Sequence, residues 1–238
     1  MVALLVVLLI VVAVAFELHI ARRGMPLMSD RAGVSAAMVQ PRAPDSVFLT
    51  RGQTWVRMTT DGLMRVGVND LVAQAIGDVT SVWIAAPGSK VRAGEPIMKL
   101  HVGDRALVVA APGDGTVEGF NERTVSAPWV VVQDPYRTGW LVSVLPDNYE
   151  ATIAPLCMGA TANVHLEKEM SRFVEFIAAC RGERVTAKTA LPVRGALAQL
   201  DDAAWRSFQK NFLGSVTEQS EESVAWADAH PIAVRARS

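Results

Sequence analysis

The side chains able to do chemistry are few in this chain, and their spacing limits what they can do together. His19, His101, His165 and His230 stand at no metal-ligand spacing from one another or from Cys157 and Cys180, so no metal site is expected. Two cysteines allow at most one intrachain bridge, which excludes a disulfide scaffold and a four-thiolate centre. Arg181 follows Cys180 and would lower the thiol pKa at an exposed site, but cysteine is usually a small buried hydrophobe and Cys180 is read as one. No Ser-His-Asp grouping, phosphate loop or dinucleotide fingerprint is present, so no enzyme is expected. What remains is a polar run, His101-Val102-Gly103-Asp104-Arg105, between apolar stretches. Gly103 takes a positive φ without strain, so the run reads as a hairpin turn, either a plain solvated turn or one whose tip, His101, Gly103, Asp104 and Arg105, touches a partner. Arg105 is no nucleophile, because its guanidinium stays protonated.

The elements that must carry such a turn are short strands. Between Thr54 and Leu145 apolar residues come in short runs punctuated by glycine and proline, the pattern of an all-β domain. The strand candidates are 55–58, 64–68, 79–85, 96–101, 106–110, 115–120, 129–132 and 140–145, with one short helix over 70–78 that Gly77 would end. Many short strands with tight turns favour a closed or sandwiched sheet. From Thr161 to Cys180 the period becomes helical, with Leu166, Met170, Phe173 and Ile177 on one face and Glu167, Lys168, Arg172 and Glu175 around the rest. A second helix is expected from an Asp201 N-cap, stapled by Leu200 and Trp205 and continued by Phe208 and Phe212. Both helices are expected to pack on the β body or on each other.

At 238 residues, 50% hydrophobic and 20% charged, the chain can bury a real core, and its length fits one domain with appendages. A balance of 23 basic against 24 acidic residues argues against nucleic acid as a partner. The N-terminus is different in kind: Val2 to Phe16 run without a polar residue, and Glu17, His19, Arg22 and Arg23 follow. A helix needs about 20 residues to cross the hydrocarbon core, and residues 1–21 supply that length as a transmembrane anchor. Ala13-Val14-Ala15 has the form of a cleavage site, but no basic residue precedes the apolar run. The arginines after it place the body of the protein in the cytoplasm, single-pass at the inner or plasma membrane. Pro26, Pro41 and Pro44 with scattered arginines make 22–50 a linker. The remaining divisions are a β domain over 51–149, a helical extension over 150–215 and a tail over 216–238.

The β segment resembles the glycine cleavage H-protein family, within the wider lipoyl and biotinyl carrier group. The resemblance is carried by Thr54-Trp55-Val56-Arg57, by Val66-Gly67-Val68-Asn69-Asp70 with Gly77-Asp78, and by Gly88 to Glu95. It continues through Ala111-Pro112-Gly113-Asp114-Gly115-Thr116-Val117 with Asn121, and closes on Asp134-Pro135-Tyr136 with Gly139-Trp140-Leu141. Gln53 stands where the family usually has histidine. The resemblance implies a barrel-sandwich hybrid, mainly β, here joined to an N-terminal transmembrane helix and a C-terminal helical extension.

It also implies a lysine at a hairpin tip, amide-linked to a swinging lipoyl arm, eight residues before the proline of the Ala-Pro motif. Eight residues before Pro112 stands Asp104, so the lipoyl-lysine position is read as lost and lipoate is expected to be absent. Met98-Lys99-Leu100 resembles the biotin-carrier Met-Lys-Met, but Lys99 lies thirteen residues before Pro112, and it is read as a strand lysine with a solvated head. Lys90 is read as a surface charge. The reading is therefore a membrane-anchored, non-lipoylated H-like protein, a non-catalytic docking or assembly subunit with protein partners. Two alternatives stand beside it: an H-type carrier modified on another lysine, and a periplasmic adaptor of an export pump. The latter usually inserts a helical hairpin where residues 96–120 run strand to strand.

Overall fold

Alternating apolar residues pay off only where one face of a strand is buried, and here two sheets close over a shared interior. The computed structural model describes residues 36–186 and 189–214. The anchor expected over 1–21 and the tail over 216–238 lie outside the described residues. Among the described residues no helix is long and apolar enough to cross a membrane.

The strands are β1 (Phe48–Leu49), β2 (Thr54–Met58), β3 (Met64–Val68), β4 (Ser81–Ile84), β5 (Lys90–Val91), β6 (Pro96–Val102), β7 (Arg105–Ala110), β8 (Gly115–Phe120), β9 (Val142–Pro146) and β10 (Cys157–Met158). Seven pair in the order β10-β1-β2-β3-β9-β8-β5, and β4-β6-β7 form a separate sheet of three. Every pairing is antiparallel. Helices α1 (Asp70–Ile76), α2 (Glu122–Ser126), α3 (Val130–Gln133), α4 (Tyr149–Ile153), α5 (Gly159–Arg181) and α6 (Asp202–Phe208) complete the fold, and a π-helical turn, Gln209–Leu213, continues α6. This mainly-β, sandwich-like architecture with C-terminal helices is the one expected for residues 51 onward.

Trp55 anchors the interior: it is fully buried, its Nε1 donates to the Pro135 carbonyl at 3.0 Å, and its ring lies 6.1 Å from that of Tyr136. α1 begins where Asn69 caps it, its side-chain oxygen accepting from the Val72 backbone N–H at 3.1 Å, and residues 71–76 are all buried. It ends at Gly77, whose φ of 72° and ψ of −126° form a combination open in practice to glycine. A β-carbon there would lie 2.8 Å from the Cα of Gly195, where the C-terminal segment crosses the helix end. Gly77→Ala is therefore expected to lower stability by about 1–3 kcal/mol from backbone strain alone, and more from the clash. A urea midpoint equal to that of the unchanged chain would refute this.

Several expectations are corrected. Residues 37–50 are not a linker. Met38, Ala43, Val47 and Leu49 are buried, the Gln74 carboxamide bonds both Val39 N (2.7 Å) and Val39 O (3.2 Å), and Asn163 of α5 accepts from Ala43 N at 3.0 Å. Pro41 and Pro44 belong instead to a folded body whose compact unit starts at Ala37 and holds the helical extension as well. The run 129–132, read as a strand from its valines, is helical: Pro128 opens it, and Val131 N donates to Pro128 O at 3.0 Å. The strand expected at 140–145 runs over Val142–Pro146. Cys180 is exposed rather than buried, and its thiol pKa is raised by desolvation and by the Asp201 carboxylate, not lowered by Arg181. Cys157 is free too.

The helical extension behaves as expected, packing on the β body and on itself. Phe173 and Phe176 of α5 meet Phe208 and Phe212 in a cluster of rings, with Phe208 and Phe212 stacked at 4.7 Å and Phe173 edge-on to Phe208 at 5.6 Å. Asp201 caps α6 through Ala204 N at 2.8 Å.

Candidate functional site

The expected hairpin is present. β6 and β7 pair in register with Val102 opposite Arg105, leaving a two-residue turn of Gly103 and Asp104. Gly103 has φ 59°, and Asp104 does not have positive φ. Positive φ at the first turn position alone is the requirement of a II′ turn, whose twist matches that of the flanking strands. A β-carbon at Gly103 would meet nothing within 4 Å, so glycine is there for its backbone and not for space. Gly103 and Asp104 are both exposed, at the far end of the three-stranded sheet from Pro96. His101 is half-buried, and its carbonyl accepts from Thr80 N (2.8 Å) and Thr80 Oγ1 (3.1 Å).

Arg105 corrects the idea of a four-residue tip facing a partner, because its guanidinium is turned to its own chain. Nη1 donates to the Leu200 carbonyl at 2.7 Å, Nε lies 3.3 Å from Asp202 Oδ1, and Cζ stands 5.4 Å from the Trp205 ring centroid. Alongside, Trp205 Nε1 donates to Ala106 O at 3.0 Å. The Gln209 carboxamide accepts from Val108 N at 2.9 Å and donates to Val108 O at 2.8 Å. The extension thus lies along the edge of β7 and leaves the turn itself open. Of the tip residues, only Gly103 and Asp104 are fully presented to solvent.

The lysines are placed elsewhere. Lys99 is corrected: its head is not solvated, since the residue is 6% exposed and Nζ lies 5.4 Å from the ring centroid of Trp83, its direct neighbour across β4 and β6. Burial of the stem against an indole face outweighs hydration of the head here. Lys90 is a surface charge, paired with Asp147 at 3.0 Å between two largely exposed side chains, which contributes little. Among the described residues no cluster of three or more His, Cys, Asp or Glu side chains is arranged to hold a metal ion.

Sequence reasoning missed one buried polar assembly. Gln53 is fully buried with φ 60°, donates from Nε2 to Glu169 Oε2 at 2.8 Å, and accepts from Asn69 Nδ2 at 2.7 Å. Glu169 Oε1 takes a 2.6 Å bond from Arg172, whose guanidinium also reaches Asn211 O (3.2 Å) and the ring of Phe212 (5.0 Å). The assembly ties β2 and α1 to α5 and through it to the π-helical turn. A signal was present: Glu169 lies three residues after Leu166 and four before Phe173, on the buried stripe of α5. A carboxylate there needs partners.

The match to known proteins covers the same region. Residues 47–169 match the family model described as glycine cleavage H-protein. The chain is 30% identical over 128 residues to glycine cleavage system H protein 2 of Aquifex aeolicus, covering 54% of this chain and 80% of that protein. It is 34% identical over 101 residues to the glycine cleavage system H protein of Mycobacterium avium, covering 42% of this chain and 76% of the relative. A crystal structure of a glycine cleavage system H protein from Mycobacterium marinum aligns over 53% of this chain and 99% of its own, at 27% identity and a TM-score of 0.47. The β body with its two-residue hairpin and the opening of α5 thus fall within one matched stretch, and the chain belongs to the glycine cleavage H-protein family.

Proposed function

We propose that this protein is a membrane-anchored H-family member that carries no lipoyl arm and serves as a docking or assembly subunit rather than as a shuttle. The observation that supports this most is the exposed turn. A carrier needs an ε-amine at the end of the hairpin, where a ligase can reach it and an attached arm can sweep between enzyme sites. The turn here holds Gly103 and Asp104, and a carboxylate cannot form the amide. Arg105, the next side chain, is neither nucleophilic nor unengaged. Lys99 is buried in the sheet and Lys90 stands on a different strand, so neither takes the place of a tip lysine.

The rest of the reading follows from the apolar N-terminal run and from the β body. The apolar run of residues 2–16 with arginines after it supports a single anchor and a body on the cytoplasmic side. The intact β body supports binding without catalysis, since such a fold positions a surface and brings no reactive group of its own. Partners would meet the open turn and the face beside it.

The test is the intact mass of the full-length chain isolated from its native membranes in mild detergent, together with the proteins that come with it. The expected result is an unmodified chain with stoichiometric membrane partners. A lipoyl group on any lysine, with glycine-cleavage enzymes recovered, would overturn the proposal. As a companion prediction, Asp104→Lys co-expressed with a lipoyl ligase is expected to acquire the lipoyl mass in a large fraction of molecules, while the unchanged chain acquires none. If Asp104→Lys stays unmodified, the turn is not the acceptor position that the proposal assumes.

A further inference from the structure

We infer that Arg57 and Arg65 form a binding site for a phosphate monoester, on the open face of the seven-stranded sheet. The two residues stand directly opposite each other across β2 and β3, Arg65 is directly opposite Ser143 of β9, and Ser143 is directly opposite Gly119 of β8. Residues so paired share a face of the sheet. Their chain neighbours Val56, Met64, Val66, Val142 and Val144 are fully buried in the core, so the row Arg57, Arg65, Ser143 and Gly119 lies on the side away from it.

Like charges directly opposite each other in a sheet are destabilising. Among the described residues no ion pair with a carboxylate engages either guanidinium. Asp134 acts on Arg57 without reaching ion-pair contact, and its Oδ2 already accepts from Thr138 N (3.2 Å) and Thr138 Oγ1 (2.9 Å). Each guanidinium is instead set over an indole: Arg57 Cζ lies 5.4 Å from the Trp55 ring centroid, and Arg65 Cζ 4.7 Å from that of Trp140. Stacking uses the flat face of a guanidinium and leaves its N–H edge for an acceptor. That edge is poorly supplied, since Arg57 Nε has no hydrogen-bond partner and Nη2 has only a 3.4 Å bond to Ser46 Oγ. Burial, and after it the charge of Arg65, pull the Arg57 pKa below its usual value, a condition that a bound anion relieves.

The donors decide the acceptor. A single fork already satisfies both oxygens of a carboxylate, and two opposed forks call for more. A phosphate monoester brings three acceptor oxygens and a charge of about −1.5 to −2 at neutral pH, enough for both. Its ester group has room along the row, because Gly119 is bare: a β-carbon there would lie 3.4 Å from Ser143 Oγ.

The experiment titrates the full-length chain, in an uncharged detergent, with inorganic phosphate by calorimetry, and follows thermal unfolding in phosphate against potassium chloride at equal ionic strength. Phosphate is expected to bind and to raise the unfolding midpoint above that in chloride. Arg65→Lys keeps the charge and removes the fork, and is expected to weaken phosphate binding roughly tenfold or more, the scale of one charged hydrogen bond. Arg65 is exposed, so Arg65→Gln should remove the phosphate-dependent shift and leave the phosphate-free chain about as stable. Glycerol phosphate, and mixed micelles of the detergent with phosphatidic acid, repeat the titration and tell a soluble ester from a lipid headgroup; binding of either supports the site. If none of the three phosphates outdoes chloride, if Arg65→Lys binds as well as the unchanged chain, or if a glutamate-rich peptide binds more tightly than any of them, the inference is overturned. None of these outcomes bears on whether the chain is lipoylated.

Discussion

Phe208→Ala is expected to strip the helical extension from the hairpin. The side chain is fully buried, packed edge-on to Phe173 at 5.6 Å and stacked on Phe212 at 4.7 Å. Truncating a core phenylalanine costs about 3–5 kcal/mol, the lost transfer energy plus a cavity that its neighbours fill only in part. Against a total stability of about 5–15 kcal/mol for a typical domain, that is a loss of roughly a fifth or more. The loss should fall first on the segment from Leu197 to Leu213, which is left with the buried Leu197, Trp205 and Leu213 and a few polar bonds. Arg105, Trp205 and Gln209 supply bonds worth about 1 kcal/mol each, and the Arg105–Asp202 pair is too exposed to add much. Amide exchange at Val108 should therefore rise before that of Val56 and Val66, which are fully buried and paired with each other across β2 and β3. A urea midpoint within about 0.5 kcal/mol of the unchanged chain, or equal acceleration at all three amides, would show that the ring cluster is not what holds the cover.

How far the sequence foretold this arrangement depended on whether local pattern or distant contact decided each residue. β3 and β8 follow the expected ranges, 64–68 and 115–120, because their alternation, their turn residues and their burial agree. The hairpin turn was legible because Gly103 and its length leave little choice of geometry. Valines 130–132 misled, since their strand preference is weak beside a helical turn opened by Pro128 and the burial of Val130 and Val131. Residues 37–50 misled for the same reason in reverse: their prolines say nothing of Gln74 and Asn163, the side chains that satisfy Val39 and Ala43 from far along the chain. Arg105 was legible as a charge at the turn and not as a latch, because its acceptors lie some ninety-odd positions away at Ala198 and Leu200.

The deepest of these distant contacts sets the second large effect. Gln53→Ala leaves Glu169 Oε2 and Asn69 Nδ2 without the bonds that the structure gives them at 2.8 and 2.7 Å, inside a region where water does not reach. Losing a buried hydrogen bond to a charged group costs about 1.5–3 kcal/mol, because the carboxylate keeps its desolvation penalty with only Arg172 left to hold it. Glu169→Ala should cost a similar amount by freeing Gln53 Nε2 and Arg172, and the double variant less than the sum of the two, with a coupling of about 1–3 kcal/mol. Backbone strain could produce a loss of stability at the same position, and the two causes differ in sign when alanine is compared with glycine. Gln53 sits at φ 60°. If its bonds hold the loop in that conformation, Gln53→Ala keeps the strain and loses the bonds, while Gln53→Gly loses the bonds and sheds the strain, so glycine should be the less damaging by about 1 kcal/mol. Denaturation midpoints of the four variants decide it. Additive single losses would show that Gln53 and Glu169 are not coupled. A glycine variant as stable as the unchanged chain would show that the bonds offset only the strain they maintain.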